Sequence, residues 1–322
     1  MKALIIGTGS IGQRHIRNLR TLHPGLSFIL LRKNARKDAL SESLDAIVIE
    51  QLDEAIALAP DFAVIANPSS MHAEFLDGLI KSDIPVYIEK PVVINHSQLQ
   101  NIQSLLQQKE IPVTLTGCNL RFLPSLKKMK ALLDEGAIGQ PLRASFTAGQ
   151  WLPDWRPDQD YKQSYSADSS KGGGVILDLI HELDAARWLL GEMSDVSALH
   201  QHAPVLEIDS ESVAVAIMKS SSEVLVTVSV DYIARKPVRR YEVVGDKGSL
   251  IWNLINCSLS LETPAGTELI NCGEQGFDLP QTYISAMQAF LDAIKNKTRL
   301  SQDLQDGLRS VELALSVKDE MQ

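Results

Sequence analysis

Three segments combine residue types that could do chemistry together. The first is Gly172-Gly173-Gly174 followed by Val175-Ile176-Leu177-Asp178-Leu179-Ile180-His181-Glu182-Leu183-Asp184. The glycines read as a hinge, and the apolar run reads as a helix carrying Asp178 and His181 three residues apart. Positions i and i+3 share a helix face, so the spacing predicts an acid beside an imidazole. Imidazole titrates at about 6.5 when unperturbed and is suited to moving a proton. Read alone, the run also fits a histidine satisfied within a core and an aspartate that caps or pairs. Asp184 and Arg187, with the same spacing, read as an ion pair along the helix.

The second segment is Gly7-Thr8-Gly9-Ser10-Ile11-Gly12, which directly follows the apolar Ala3–Ile6 and opens a helical pattern over Ile11–Leu22. A GxGxxG string is weak by itself, but a strand before it and a helix after it are the setting of a dinucleotide site. Gly7 allows the tight turn, Gly9 lets the backbone approach a pyrophosphate, and Gly12 lets helix and strand pack closely. Ser10 and Ile11 then lie at the helix N-terminus, where free N–H groups and the positive dipole end favour phosphate. An acid that holds the ribose of NAD is expected about 20 residues on, after the second strand. That strand is Phe28–Leu31, followed by Arg32-Lys33-Asn34 with no acid until Asp38. Arg32 suits a 2′-phosphate and an adenine face, which favours NADP, with NAD held through Asn34 or backbone as the alternative.

The third segment comprises two strand ends. Asn67-Pro68-Ser69-Ser70-Met71-His72 follows Phe62–Ala66, and Glu89-Lys90-Pro91 follows Val86–Ile88. Ligands of open parallel sheets bind beyond the carboxyl ends of the strands, which is where both polar segments fall.

Two domains are expected from 322 residues: 1–118 and 119–322. In the first, the apolar runs Ala3–Ile6, Phe28–Leu31, Ala46–Ile49, Phe62–Ala66, Val86–Ile88 and Val113–Thr116 alternate with helical patterns at Ile11–Leu22, Leu52–Leu58, Met71–Ser82 and Ser97–Gln108. That alternation predicts an α/β fold with a parallel sheet. A helical pattern at Leu123–Glu135 follows, then strand-rich sequence at Leu142–Ala148, Val213–Met218, Val224–Tyr232, Tyr241–Val244 and Leu250–Trp252. Short turns between the later strands imply a mainly antiparallel sheet. Trp151–Lys171, polar and aromatic with several prolines, reads as a long functional loop. Helices at Thr282–Lys295 and Asp303–Glu320 close the chain.

Composition narrows the partners. A net charge of −9 speaks against nucleic acid, which needs a basic surface. Cys118, Cys257 and Cys272 show no metal-ligand spacing, so no metal is expected, and their low, odd number fits a reducing compartment. The apolar start ends at Gly7, too short for a signal-peptide core or a membrane span, so a cytoplasmic location is expected.

GTGSIG, the NPSSMH and EKP strand ends, Asn119-Leu120-Arg121-Phe122-Leu123-Pro124 and GGGVILDLIHELD occur in an order that resembles the Gfo/Idh/MocA oxidoreductases. The resemblance covers nearly the whole chain, and EKP is its most specific element. It implies a Rossmann domain followed by an α/β domain with an open, mainly antiparallel sheet, and an active site between them. It matches Lys90 to the family's catalytic lysine and Asp178 and His181 to its acid–histidine pair, here at an interval of three rather than the commoner four. Gly7, Gly9, Ser10, Ile11, Gly12, Arg32, Asn67, Pro68, Ser69, His72, Glu89 and Lys90 would then hold NADP or NAD.

Under this resemblance, His181 would exchange the hydroxyl proton during hydride transfer. Lys90 would stabilise charge on the substrate oxygen. Asp178 would orient a substrate hydroxyl or tune its neighbours. Asn119, Arg121, Trp151, Trp155, Arg156, Tyr165 and Tyr283 are candidates for a sugar, sugar-derivative or nucleotide-sugar substrate, because rings with apolar faces and hydroxyl edges suit aromatic and hydrogen-bonding side chains. An open sheet face implies a homodimer or homotetramer. An NAD-dependent glycoside hydrolase of the same fold, or a dinucleotide-binding regulator without enzymatic activity, are the alternatives that the resemblance leaves.

Overall fold

A computed structural model describes residues 1–155 and 157–320. The chain opens with strand β1 (Lys2–Ile6), whose last four side chains are buried, as expected of a strand covered on both faces. It continues as α1 (Ser10–Leu22), β2 (Ser27–Leu31), α2 (Ala39–Ser43), β3 (Ile47–Ile49), α3 (Leu52–Ala57), β4 (Phe62–Ile65), α4 (His72–Lys81), β5 (Val86–Ile88), α5 (His96–Gln108) and β6 (Thr114–Thr116). The six strands form one parallel sheet in the order β3-β2-β1-β4-β5-β6. This is the doubly wound order, and it reverses direction between β1 and β4, the point at which sheets of this kind bind ligands beyond the carboxyl ends of the strands.

The later elements are α6 (Pro124–Asp134), β7 (Pro141–Gly149), α7 (Val175–Asp178), α8 (Ile180–Leu190), β8 (Met193–Gln201), β9 (Val213–Ser220), β10 (Leu225–Asp231), β11 (Val238–Gly245), β12 (Ser249–Asn253), β13 (Ser258–Thr263), β14 (Gly266–Leu269), α9 (Leu279–Asn296) and α10 (Leu304–Asp319). Strands β7 to β14 form an eight-stranded sheet in the order β14-β13-β12-β11-β7-β10-β9-β8. Its pairs are antiparallel except β7 with β10. Alternate residues face inward: Phe146 on β7, Val228 on β10, Tyr241 on β11 and Trp252 on β12 are all buried. On the opposite face Leu199, Val215, Ile217, Leu225 and Leu269 are exposed. The segment between β7 and α7 is a chain of four short 3-10 turns, at Leu152–Trp155, Tyr161–Gln163, Tyr165–Ala167 and Ser169–Lys171.

The chain divides into two compact units: Met1–Asn119 with Thr282–Val311, and Leu120–Gln281 with the chain from Glu312 onward. The sequence reading assigns everything after residue 118 to the second domain, whereas most of α9 and the first half of α10 cluster with the first. Phe290 on α9 meets Phe62 of β4 and Tyr87 of β5 edge-on, at 5.8 and 5.9 Å. Gly307 on α10 lies against Thr116, where a Cβ would come within 2.2 Å of Oγ1. The two elements therefore back the β4–β5–β6 side of the parallel sheet, a long-range choice that no local pattern announces.

Strands β8, β13 and β14 and the short helix α2 lie outside the predicted elements. Strand β8 is an edge strand with a register shift between Ser194 and Ser197 and no regular alternation, and β14 is exposed throughout. Among the described residues no helix is long and apolar enough to cross a membrane, and no cluster of His, Cys, Asp or Glu is arranged to hold a metal ion.

Candidate active site

In the first unit the glycine turn follows from close approach. Gly7 has φ +90°, a conformation costly for residues with a Cβ, and a Cβ there would lie 2.6 Å from the Asn67 Cα. A Cβ on Gly12 would lie 2.1 Å from the Gly7 carbonyl oxygen. At Gly9 a Cβ would meet nothing within 4 Å, so this backbone faces open space. No side chain caps α1 and its first turn carries no acid, which leaves N–H groups and a positive dipole end for an anion. Beside the turn, both polar atoms of the Asn67 amide are buried and have no hydrogen-bond partner among the described residues. An orphaned amide at the end of β4, open backbone at Gly9 and an uncapped helix start fit a dinucleotide.

Arg32 follows β2, as the sequence reading requires, but its guanidinium is occupied. Its two terminal nitrogens lie 2.7 and 3.0 Å from the Asp38 carboxylate, and one also donates to the Arg36 carbonyl oxygen. The Arg32 hydrogen bond, joined by the Ser41 N–H, holds the Asp38 carboxyl well below the usual carboxylate range. Asp38 also caps α2. Sequence spacing passes over this acid because it lies six residues beyond Arg32, brought back by the turn at Asn34 and Ala35, both at positive φ.

His72 is buried, with Nδ1 2.9 Å from the Pro91 carbonyl oxygen and Nε2 3.0 Å from that of Asn67. Burial pushes its pKa down against the pull of those carbonyls. Its ring joins two loops through backbone atoms and holds Asn67 and Pro91 in place. Pro68 is exposed and Ser69 buried on the same loop. Glu89 is buried and accepts from His15 Nε2 at 2.7 Å. Lys90 follows at the end of β5, part-exposed. Asn119 donates to Thr282 Oγ1 at 2.7 Å in the interior of this unit. Tyr283 stacks under the Arg14 guanidinium at 4.6 Å and meets the His15 ring.

In the second unit the expected continuous helix is broken. Helix α7 ends at Asp178, Leu179 takes a non-helical conformation (φ −100°, ψ 33°), and α8 begins at Ile180. Asp178 and His181 therefore belong to different helices, and the shared face expected from their spacing does not form. The break permits separate environments. Asp178 accepts from Tyr165 Oη on one oxygen, and from Ser166 Oγ at 2.6 Å and Tyr232 Oη at 2.9 Å on the other. It thus pins the 3-10 segment to the sheet, with little of the carboxylate left for a ligand. Burial, with the Asp178 charge second, pushes the Tyr232 phenol well above its usual value. His181 lies in the first turn of α8 at 9% exposure.

The glycine run that precedes α7 is set by contact. Gly174 has φ +108° and sits against the Glu211 carboxylate, and Gly173 sits against the Tyr165 and Ser166 carbonyls.

Helix α8 is buried on nearly all sides, so its charges must be paired. Arg121 holds Asp184 through two hydrogen bonds of 2.8 and 2.6 Å, both residues buried. Arg187 holds Glu192 through two hydrogen bonds of 2.8 and 2.7 Å. Glu182, fully buried, accepts from Arg239 at 2.7 and 3.2 Å and from Tyr241 Oη at 2.9 Å. Arg121, read from sequence as a substrate ligand, is thus bound into the interior. Trp151 lies beneath Arg235, whose guanidinium carbon is 3.5 Å from the ring centroid, and Trp155 meets Tyr232 edge-on at 5.3 Å. Arg235 is a cation near the loop that sequence reasoning missed, and no motif marks it. Arg156 lies outside the described residues.

This fold and this glycine turn define an oxidoreductase class with an NAD-binding Rossmann domain. A family model described as "Oxidoreductase family, NAD-binding Rossmann fold" matches residues 1–116, and one described as "GFO/IDH/MocA C-terminal domain" matches residues 126–251. The chain belongs to the Gfo/Idh/MocA family of oxidoreductases. It is 26% identical over 267 residues to the myo-inositol 2-dehydrogenase of Thermotoga maritima, covering 78% of this chain and 74% of that protein. The structure of scyllo-inositol dehydrogenase from Lactobacillus casei, with bound NAD(H) and scyllo-inositol, aligns at a TM-score of 0.81 with 23% identity, covering 100% of this chain and 96% of that one. Levoglucosan dehydrogenase in complex with NADH and levoglucosan aligns at 0.85 with 20% identity, covering 100% and 98%. Both structures share the fold.

The Arg121–Asp184 pair yields a test of its structural role. Replacing Asp184 by Asn leaves a buried guanidinium without its counter-charge, and the unfolding free energy from urea titration should fall by about 3–5 kcal/mol. Unchanged stability would mean that the pair is solvated and that Arg121 is open to ligands.

Proposed function

We propose that this chain is a nicotinamide-dependent dehydrogenase acting on a CH–OH carbon of a sugar, sugar derivative or nucleotide sugar. The reading is carried by the open end of the parallel sheet, where the orphaned Asn67 amide stands beside the glycine turn and Lys90 follows β5. The bound nicotinamide supplies a hydride acceptor or donor. His181 takes the hydroxyl proton in oxidation and returns it in reduction. Lys90 donates a hydrogen bond to the reacting oxygen and stabilises its developing negative charge. Asp178 fixes Tyr165 and Ser166 through its hydroxyl bonds, and Tyr165 with the two loop tryptophans offers the aromatic surface that a sugar ring needs. The relatives named for inositol and levoglucosan support a polyhydroxylated ring as substrate.

A screen of polyols, sugars and nucleotide sugars with NAD+ and NADP+ identifies the substrate. On that substrate, Lys90→Ala and His181→Ala should each lower turnover about 100-fold while NADH still binds. Full turnover in both variants would overturn the assignment.

For the cofactor, the Arg32–Asp38 pair favours NAD, although Arg32 alone suggests NADP. A 2′-phosphate would have to compete with a two-point carboxylate contact for the same guanidinium. Fluorescence titration should give tighter binding of NADH than of NADPH, and Asp38→Asn should narrow the difference. Tighter NADPH binding by the unaltered protein would restore NADP.

The outer face of the eight-stranded sheet supports a homo-oligomer. Leu199 pairs in register with Val215 across β8 and β9, and Ile217 lies on the same face. A self-complementary contact between two such faces removes this apolar surface from water. Light scattering should report a dimer or tetramer, and Val215→Lys with Ile217→Lys should shift it towards monomer. A monomeric unaltered protein would refute this.

A further inference from the structure

The proposed chemistry uses Lys90 but leaves unexplained the buried acid–imidazole pair beside it. His15 lies on α1, three residues beyond Gly12, and is 0% exposed. Its Nε2–H donates to Glu89 Oε1 at 2.7 Å. Its Nδ1 has no partner among the described residues, so the ring's polar contact is with Glu89. The ring is clamped laterally, 4.8 Å from Tyr87 and 6.3 Å from Tyr283 by centroids. On the other side of the carboxylate, Gly117 leaves the space that Glu89 fills, since a Cβ there would lie 3.0 Å from Oε2.

We propose that His15 is a positioning residue for Lys90, acting through the Glu89 carboxylate. Lysine has a long, flexible stem, so the place of its ammonium depends on how firmly the backbone beneath it is held. Lys90 is held on both flanks. Glu89 before it is tied by side chain to α1, and the carbonyl of Pro91 after it is tied to His72 on α4. His72 also reaches the Asn67 carbonyl, so the second flank is fixed to the loop after β4. The first flank is fixed to the helix that starts at the glycine turn. Through His15, the element that would receive the pyrophosphate and the residue that would meet the substrate oxygen become one rigid body within this unit. A buried carboxylate cannot drift from its donor without a large penalty, which makes the tie stiff.

This inference rests on the dehydrogenase reading, and the test separates the two. His15→Leu keeps bulk and removes the donor; His15→Gln keeps an N–H near the Nε2 position. Displacing a reacting group by about 1 Å costs on the order of 100-fold in rate. In crystals of His15→Leu, Glu89 should swing away and the Lys90 backbone should shift by about that distance. Turnover should fall by at least about tenfold, with NADH affinity changed by less than about threefold. His15→Gln should recover most of the lost turnover.

The decisive arm is the double variant. His15→Leu combined with Lys90→Ala should be no slower than Lys90→Ala alone, because nothing remains to be positioned. Multiplicative losses in the double variant, or an unmoved Lys90 with turnover close to that of the unaltered protein in His15→Leu, would overturn the proposal. If His15→Leu fails to fold, His15→Asn, whose shorter side chain cannot bring its N–H to Glu89, takes its place in the same comparison on the Lys90→Ala background. Full turnover in Lys90→Ala would instead defeat the dehydrogenase assignment of Lys90, leaving the crystallographic displacement as the independent reading of His15.

Discussion

Taking a carboxylate out of water costs several kcal/mol unless donors replace the lost hydration. Both units of this chain bury carboxylates beside their candidate chemistry, and the donors that meet them determine where the neighbouring residues stand. In the first unit Glu89 is answered by His15 and fitted against Gly117. In the second, Glu182 is answered by Arg239 and Tyr241, Asp184 by Arg121, and Asp178 by three hydroxyls. Such pairs add little net stability over well-packed apolar residues, but each demands one geometry. A helix as buried as α8 could slide or rotate among similar apolar packings. With Glu182 and Asp184 each bound to an arginine from another element, it has one register, and His181 is carried with it.

The break at Leu179 has a comparable consequence. A continuous helix would set Asp178 and His181 against each other as a simple dyad. Ending α7 at Asp178 turns the carboxylate towards the Tyr165–Ser166 segment and Tyr232, and leaves the imidazole on the next helix. Two residues three apart in sequence thereby take different surroundings: one orders the aromatic segment, and the other lies buried in the first turn of α8. The glycine run before α7 serves the same arrangement, since the turn at Gly174 presses against Glu211 and excludes any larger residue.

At the nucleotide end, one local pairing changes the meaning of a motif. Arg32 after β2 is a phosphate ligand when its guanidinium is open. With Asp38 folded back onto it, the same arginine becomes a neutral pair. The carboxylate absent from the usual position is therefore present by another route, at the start of α2. Family membership rests on two family models that together span both units, while the solved structures share the fold at identities of 20% and 23%.

The parallel sheet, its strand ends and the glycine turn were legible in the sequence because each rests on local causes. Short apolar runs make buried strands, and glycines stand where backbone meets backbone. GTGSIG, NPSSMH and EKP lie where β1, β4 and β5 end. The strands of the second sheet that bury one face, such as β9 and β10, showed their alternation; the edge strands β8 and β14 bury too little to do so. The partners of charged groups were not legible. Spacing offers Asp184 to Arg187, and nothing in it announces that Asp184 meets Arg121 or that Arg187 meets Glu192. It offers Arg32 to a phosphate, and the fold gives it to Asp38. Nothing local joins His15 to Glu89, 74 positions away, until β5 brings the carboxylate to the ring. Apolar burial is written in each segment's own composition, whereas an ion pair exists only when two distant segments meet.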